Sequence, residues 1–188
     1  MRITELLNES EILDEITRPA KHEAANILRN AGYKLMGEGA FATVYGKPGA
    51  DHVLKLFFAS DTGYMEFVKV VNSNSNIHFP RFKGKMMRVT DDYYAIRMEL
   101  LTPVPDNRET EYVARTLSNY TRMIKGLAPY KQTENEVSEA IPEIEEDQPG
   151  IIDACSLIAH GTTKVIDIHN ENIMMRGDVI VITDPVAW

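Results

Sequence analysis

The sequence holds one cysteine, Cys155, so no internal disulfide can form and a reducing compartment is the expected setting. It has no long apolar run. Nothing approaches the roughly 20 apolar residues that cross a bilayer. Glu5, Glu9 and Glu11 interrupt the N-terminal stretch where a secretory leader needs unbroken apolarity. Basic residues are in deficit: 20 Lys and Arg stand against 28 Asp and Glu, a net charge of −8. That sign argues against a protein held to nucleic acid by release of counterions. Internal repeats are absent. His22, His52, His78 and His160 show no ligand spacing with one another or with Cys155, which argues against a zinc site. These absences leave an acidic, globular, cytoplasmic chain of 188 residues with neither a membrane nor a nucleic acid as partner. Its length suits one domain or two small lobes.

Hydrophobic periodicity divides the chain. Ile3, Leu6, Leu7, Ile12, Leu13 and Ile16 recur at helical spacing, Ala24, Ala25, Ile27 and Leu28 continue the stripe, and Gly32 is a stop. Three β-like runs follow, Tyr33–Met36, Phe41–Tyr45 and His52–Phe58, with the turn Gly46-Lys47-Pro48-Gly49 before the third. A helix is expected over 61–72, then strands at Phe79–Lys85 and Tyr93–Leu101. The pattern predicts a five-stranded sheet with one helix inserted after the third strand. Pro103 and Pro105 mark a boundary, and Tyr112, Val113, Leu117, Tyr120 and Ile124 stripe a helix over 108–126. Seven acidic residues between 131 and 149 predict a solvated, mobile insertion. A helix near 150–160 and two strands, Ile173–Met175 and Val179–Thr183, close the chain. The expected division is a helical segment 1–31, a sheet lobe 32–102 and a small second lobe 103–188.

Three segments carry chemistry. In Gly37-Glu38-Gly39-Ala40-Phe41-Ala42-Thr43-Val44 a glycine-rich hairpin would let backbone N–H groups approach phosphates without Cβ obstruction. Taken alone, it also reads as a plain tight turn. Lys55 lies within Val53-Leu54-Lys55-Leu56-Phe57-Phe58, where burying an ammonium is costly without a partner, and Glu66 on the next helix could supply one. The other reading is an edge-strand lysine that reaches solvent. The third segment is Asp167-Ile168-His169-Asn170-Glu171-Asn172, followed by the two strands and Asp184. If those strands form a hairpin turning at Arg176-Gly177-Asp178, Asn172 and Asp184 meet at its open end. One amide oxygen and one carboxylate there suit Mg²⁺. Asp167, five residues earlier, could hold an attacking hydroxyl. The competing reading has these polar residues capping a surface hairpin. All three segments occur in the order that phosphoryl transfer on a kinase scaffold requires.

On Ala31–Phe41, Asp167–Met174 and Ile182-Thr183-Asp184-Pro185-Val186, the chain resembles the early serine/threonine protein kinases of autographivirus-type bacteriophages, within the protein-kinase-like superfamily. The resemblance implies an α+β, protein-kinase-like fold with a five-stranded antiparallel N-lobe sheet, one inserted helix and a reduced, mostly helical C-lobe. It implies ATP and Mg²⁺ as cofactors and phosphorylation of host bacterial proteins in the host cytoplasm. Gly37 and Gly39 would cover the ATP phosphates, and Lys55, held by Glu66, would grip the α/β-phosphates. Asp167 would serve as base or hydroxyl anchor, and Asn172 and Asp184 would hold the metal. Adenine would lie between Val44 and Val53 on one side and Met174 on the other, its edge on the backbone near Glu99 and Leu101. The sequence departs from the kinase pattern in Val165-Ile166-Asp167, where His-Arg-Asp is usual, and in His169, where a lysine is usual and which resembles small-molecule phosphotransferases. The chain also stops four residues after Asp184, with neither activation loop nor large C-lobe. These departures carry the alternative, a pseudokinase-like module that inhibits a host protein without chemistry.

Overall fold

The structure, a computed structural model, describes residues 22–187. The stripe from Ile3 to Ile16 therefore lies outside the described residues. The chain divides into two compact units. One comprises the residues up to Ser60 with Phe82–Leu100, and the other Asp61–Arg81 with the chain from Leu101 onward.

In the first unit, residues 22–30 form helix α1. Gly32, at φ 85°, ends it, and Tyr33 N–H returns to the Leu28 carbonyl. Five antiparallel strands follow: β1 (Lys34–Glu38), β2 (Ala42–Gly46), β3 (His52–Phe58), β4 (Phe82–Arg88) and β5 (Tyr93–Glu99), in the order β1-β2-β3-β5-β4. β3 is central because its run Val53–Phe57 is buried on both faces. One face carries Tyr45, Leu54, Leu56 and Ala95, which pack on Ala24, Ala25 and Leu28 of α1. The opposite face carries Val44, paired with Lys55, together with Val53, Phe57, Ile96 and Met98.

The second unit holds α2 (Thr62–Ser73), β6 (Thr102–Pro103), α3 (Arg108–Ile124), α4 (Glu134–Asp147), α5 (Ile151–Gly161), β7 (Ile173–Arg176) and β8 (Val179–Ile182). The three strands form a second antiparallel sheet in the order β6-β7-β8. The fold is α+β, with a five-stranded antiparallel sheet and a mostly helical second unit. α2 begins at Asp61, whose carboxylate accepts from Tyr64 N–H at 2.9 Å. It belongs to the second unit, although it interrupts the sheet in sequence, because its buried face (Tyr64, Phe67, Val70 and Val71) packs toward Phe79 and α5. The core beneath it contains Leu117, Ile151, Cys155, Ile158 and Ile182, all fully buried. Burial pushes the Cys155 thiol up to about 12, so the cysteine is a core residue and not a nucleophile. Among the described residues no helix is long and apolar enough to cross a membrane.

The segment 131–149 corrects an expectation. It is no mobile insertion, because 134–147 form α4. Val137, Ala140 and Ile144 recur on one face and are buried, which gives the helix a core to pack on. Thr133 and Glu136 close a capping box, with Thr133 N–H donating to Glu136 Oε2 at 2.6 Å and Glu136 N–H to Thr133 Oγ1 at 3.2 Å. At the far end Glu145 accepts from the N–H groups of Gly150 and Ile152, capping the start of α5. The acidic charges line the solvent side of an ordered helix.

Candidate active site

The segment 165–172 is held in place by the chain that follows β8. Ile166 bridges Val186, Asp167 N–H donates to the Pro185 carbonyl at 2.8 Å, and Ala187 N–H donates to the Val165 carbonyl at 2.9 Å. Along this extended stretch Ile166 and Ile168 turn inward and are buried. Alternation therefore sends the Asp167 side chain outward, where it is 52% exposed. A short 3₁₀ turn, Asn170–Asn172, then leads into the β7–β8 hairpin. Gly177, at φ 62°, makes the hairpin turn.

The hairpin brings Asn172 and Asp184 to one end. Ile173 pairs with Ile182, and just beyond that rung the Asn172 carbonyl accepts from Thr183 N–H (2.9 Å), Thr183 Oγ1–H (3.0 Å) and Asp184 N–H (3.4 Å). The Asn172 side chain turns the other way, its Nδ2 donating to the Asp167 carbonyl at 2.6 Å and approaching His169 Nε2 at 2.8 Å. His169 Nε2 in turn lies 3.7 Å from Asp167 Oδ2. Asp167, His169, Asn172 and Asp184 thus form one constellation on a rigid hairpin base. His169 enters it as a neighbour that sequence reasoning had marked only as a departure from a pattern. Thr183, whose hydroxyl ties the two strand ends together, gave no signal beyond its place before Asp184.

Tyr64 adds to this environment. It is fully buried, and burial, then the negative charges of Asp184 and Asp61, hold its phenol well above the usual range. Glu66, two residues on, is half-buried, and its carboxylate accepts from Thr163 N–H at 2.7 Å and from the Thr163 hydroxyl at 2.9 and 3.1 Å. Burial alone would raise the Glu66 carboxyl. The two Thr163 donors, with Lys164 and Lys69, outweigh it and bring the group below its usual value. Thr163, four residues before Asp167, is a second partner that sequence reasoning missed. Met174, on β7, is half-buried and pairs with Val181 and Pro103, while Leu101 is buried.

The first unit carries the remaining residues. Lys55 is 6% exposed on the central strand, so the edge-strand reading does not hold. Val44, directly opposite it, and Val53, two positions along, share its face of the sheet. Glu99 ends β5 opposite His52. Gly39 N–H donates to the Ala42 carbonyl at 2.8 Å, closing the β1–β2 hairpin. A Cβ at Gly37 would meet nothing, and one at Gly39 would meet only the Ala42 carbonyl, at 3.7 Å. Neither glycine has a positive φ. Neither turn strain nor packing therefore requires a glycine at these two positions.

The donor set fits a hard divalent cation. Because Asn172 Nδ2 is committed to a carbonyl, its Oδ1 would be the atom to face a metal, and Asp184 is tied to the same residue through its backbone N–H, which donates to the Asn172 main-chain carbonyl at 3.4 Å. Among the described residues no three His, Cys, Asp or Glu side chains gather as a metal cage. Mg²⁺ needs none, since it takes one or two protein oxygens and completes its shell with water and phosphate.

A family model described as Bacteriophage T7 protein kinase 0.7 matches residues 15–188, nearly the whole chain. The chain belongs to that family. Among solved structures it is similar to Rad53 1–466 in complex with AMP-PNP, with 18% identity and a TM-score of 0.40 over 81% of this chain and 38% of that one. It is also similar to the kinase domain of PknI from M. tuberculosis, with 17% identity and a TM-score of 0.43 over 84% of this chain and 59% of that one. The chain spans less than two thirds of the length of either. No curated protein matches it.

Proposed function

We propose that this member of the phage kinase family is an ATP- and Mg²⁺-dependent serine/threonine kinase that phosphorylates host bacterial proteins. The observation that carries the reading is the Asp167–His169–Asn172 cluster, joined through the Asn172 carbonyl to Asp184. The exposed Asp167 carboxylate would accept the proton of an acceptor hydroxyl as that oxygen bonds to the γ-phosphorus and the bond to the β-phosphate oxygen breaks, releasing ADP. Asn172 positions Asp167 through its carbonyl, and its Oδ1, with Asp184, would hold the cation. When bound, Mg²⁺ supplies positive charge against the phosphate oxygens. Gly37 and Gly39 over the phosphates, Lys55 with Glu66 on the α/β-phosphates, and Val44, Val53, Glu99, Leu101 and Met174 around the adenine belong to the same proposal.

The test is transfer itself. Purified protein incubated with γ-labelled ATP and Mg²⁺ should label serine or threonine in a bacterial lysate, and EDTA should abolish the signal. A second measurement reads binding, since ligand selective for the folded state at a hundredfold excess over Kd stabilises it by about 2.7 kcal/mol. Neither labelling nor a Mg²⁺-ATP thermal shift would leave a binding module that acts without chemistry.

A further inference from the structure

Beside Asp167 runs a groove of about 540 Å³, lined on one side by the segment 166–170 and on the other by α3 and the loop after it. In a chain of net charge −8, three cations line it: Arg115, Arg122 and Lys131. The acids lining it are Asp167 and Glu111, and Glu136 acts on Arg115 from the start of α4.

Lys131 Nζ lies 4.9 Å from the Tyr130 ring centroid and the Arg115 guanidinium carbon 5.9 Å from that of Tyr112, contacts that leave hydrogen-bond donors of both cations to spare. Arg115 Nε is buried without a hydrogen-bond partner among the described residues, and the Glu111 carboxylate stays 4.0 Å from Nη1, beyond hydrogen-bond range. Among the described residues Arg122 donates through Nε, to the Ala128 carbonyl at 3.1 Å, which leaves its terminal amino groups available. Lys131 is held in an unusual conformation. At φ 56° it is the one non-glycine residue with positive φ among the described residues. A lysine there is strained where a glycine would not be.

The strain is imposed by a buried network. Asn119, 1% exposed, accepts from Tyr130 N–H at 2.7 Å and donates to the Tyr130 carbonyl at 2.9 Å and to Gln132 Oε1 at 2.7 Å. Gln132 Nε2 then donates to Thr116 Oγ1 at 3.1 Å. These bonds clamp the residues on both sides of Lys131 to α3, so its ammonium is presented at the groove from a fixed backbone. Backbone strain retained under a charged residue, next to guanidiniums with donors to spare, suits a preorganised anion site.

We propose that this groove receives an anionic side chain of the protein substrate, a carboxylate or a phosphate on a residue flanking the acceptor serine or threonine, and that Arg115, Arg122 and Lys131 grip it. The inference rests on the kinase reading of Asp167 and assigns that site a substrate class. Acidic or already phosphorylated segments are selected, and basic ones are rejected by like charge.

The test uses three peptides that differ only beside one acceptor threonine: flanked by glutamate, by phosphoserine or by arginine. Affinity is read by fluorescence anisotropy without nucleotide, and transfer is read separately with Mg²⁺-ATP. The glutamate and phosphoserine peptides should bind about tenfold or more tightly than the arginine peptide, with the difference repeated in KM. A further preference for phosphoserine over glutamate would identify a primed substrate, and equality an acidic one. Arg115→Glu with Lys131→Glu should invert the preference. Lys131→Gly should weaken anionic peptides while keeping or raising the melting temperature, because glycine tolerates the positive φ; loss of a merely structural lysine would not separate the two readouts. Equal or better binding of the arginine peptide, or no binding by any peptide, overturns the proposal. Charge-selective binding without transfer to any peptide would retain the groove and remove the kinase reading. Transfer without charge preference would do the reverse.

Discussion

The side-chain amide of Asn172 donates to the main-chain carbonyl of Asp167 across 2.6 Å, while its own carbonyl collects three donors from Thr183 and Asp184. One residue thereby ties the proposed base to the proposed metal ligand, so Asn172 has two jobs that a substitution can separate.

Asn172→Asp keeps an oxygen for a cation but replaces the Nδ2 donor with an acceptor facing the Asp167 carbonyl. It should lower stability by about 1–3 kcal/mol and reduce turnover more than it changes nucleotide affinity. Urea denaturation and steady-state kinetics measure the two effects. An aspartate that matched asparagine in both would mean the bond to Asp167 does not position the loop.

The Glu66–Thr163 contact makes a pH-dependent prediction. The Glu66 carboxyl lies below its usual value, so the stability it contributes is fully present above the unfolded-state pKa and is lost as pH falls through the lower folded-state value. Thr163→Val removes the hydroxyl donor but not the backbone one. At pH 7 it should cost about 1 kcal/mol, a modest figure because the pair is half-exposed, and the cost should shrink as pH falls below the ordinary glutamate range. Chemical denaturation of both proteins across that range measures the difference. A cost that does not change with pH would assign the loss to packing.

α2 and α5 meet closely at Gly161. A Cβ there would lie 2.3 Å from Val70 Cγ2, and the branched valine is fully engaged in the core. Gly161→Ala should therefore destabilise the fold by about 1–3 kcal/mol, although alanine is the better helix former. Gly161→Ala with Val70→Ala should recover part of that loss. Melting temperatures of the two variants decide it, and a stabilised single mutant would mean the helices sit farther apart.

Much of this was legible in the sequence, for identifiable reasons. The run Val53–Phe57 announces a strand, but only the strand order and burial put Lys55 at the centre of the sheet and not on an edge. The alternation Ile166, Asp167, Ile168 shows the aspartate pointing outward, and the hairpin signal at Arg176-Gly177-Asp178 brings Asn172 to Asp184. Acidic composition hid α4. The capping residues Thr133 and Glu136 and the spacing of Val137, Ala140 and Ile144 were present in the letters, but seven acids outweighed three apolar positions. The membership of α2 in the second unit could not be read from order along the chain, because it depends on where its buried face finds partners. The Asn119 network and the conformation of Lys131 depend on contacts between positions eleven or more residues apart, and no local pattern encodes them.

The central claim is that Asp167 takes part in phosphoryl transfer, and the most direct measurement compares single-turnover transfer from γ-labelled Mg²⁺-ATP by the wild-type chain and by Asp167→Asn, with nucleotide affinity measured on the same samples. The expected result is a rate lowered by about 10²–10⁴-fold with affinity retained, since only the proton acceptor is lost. An undiminished rate in the variant would contradict the account.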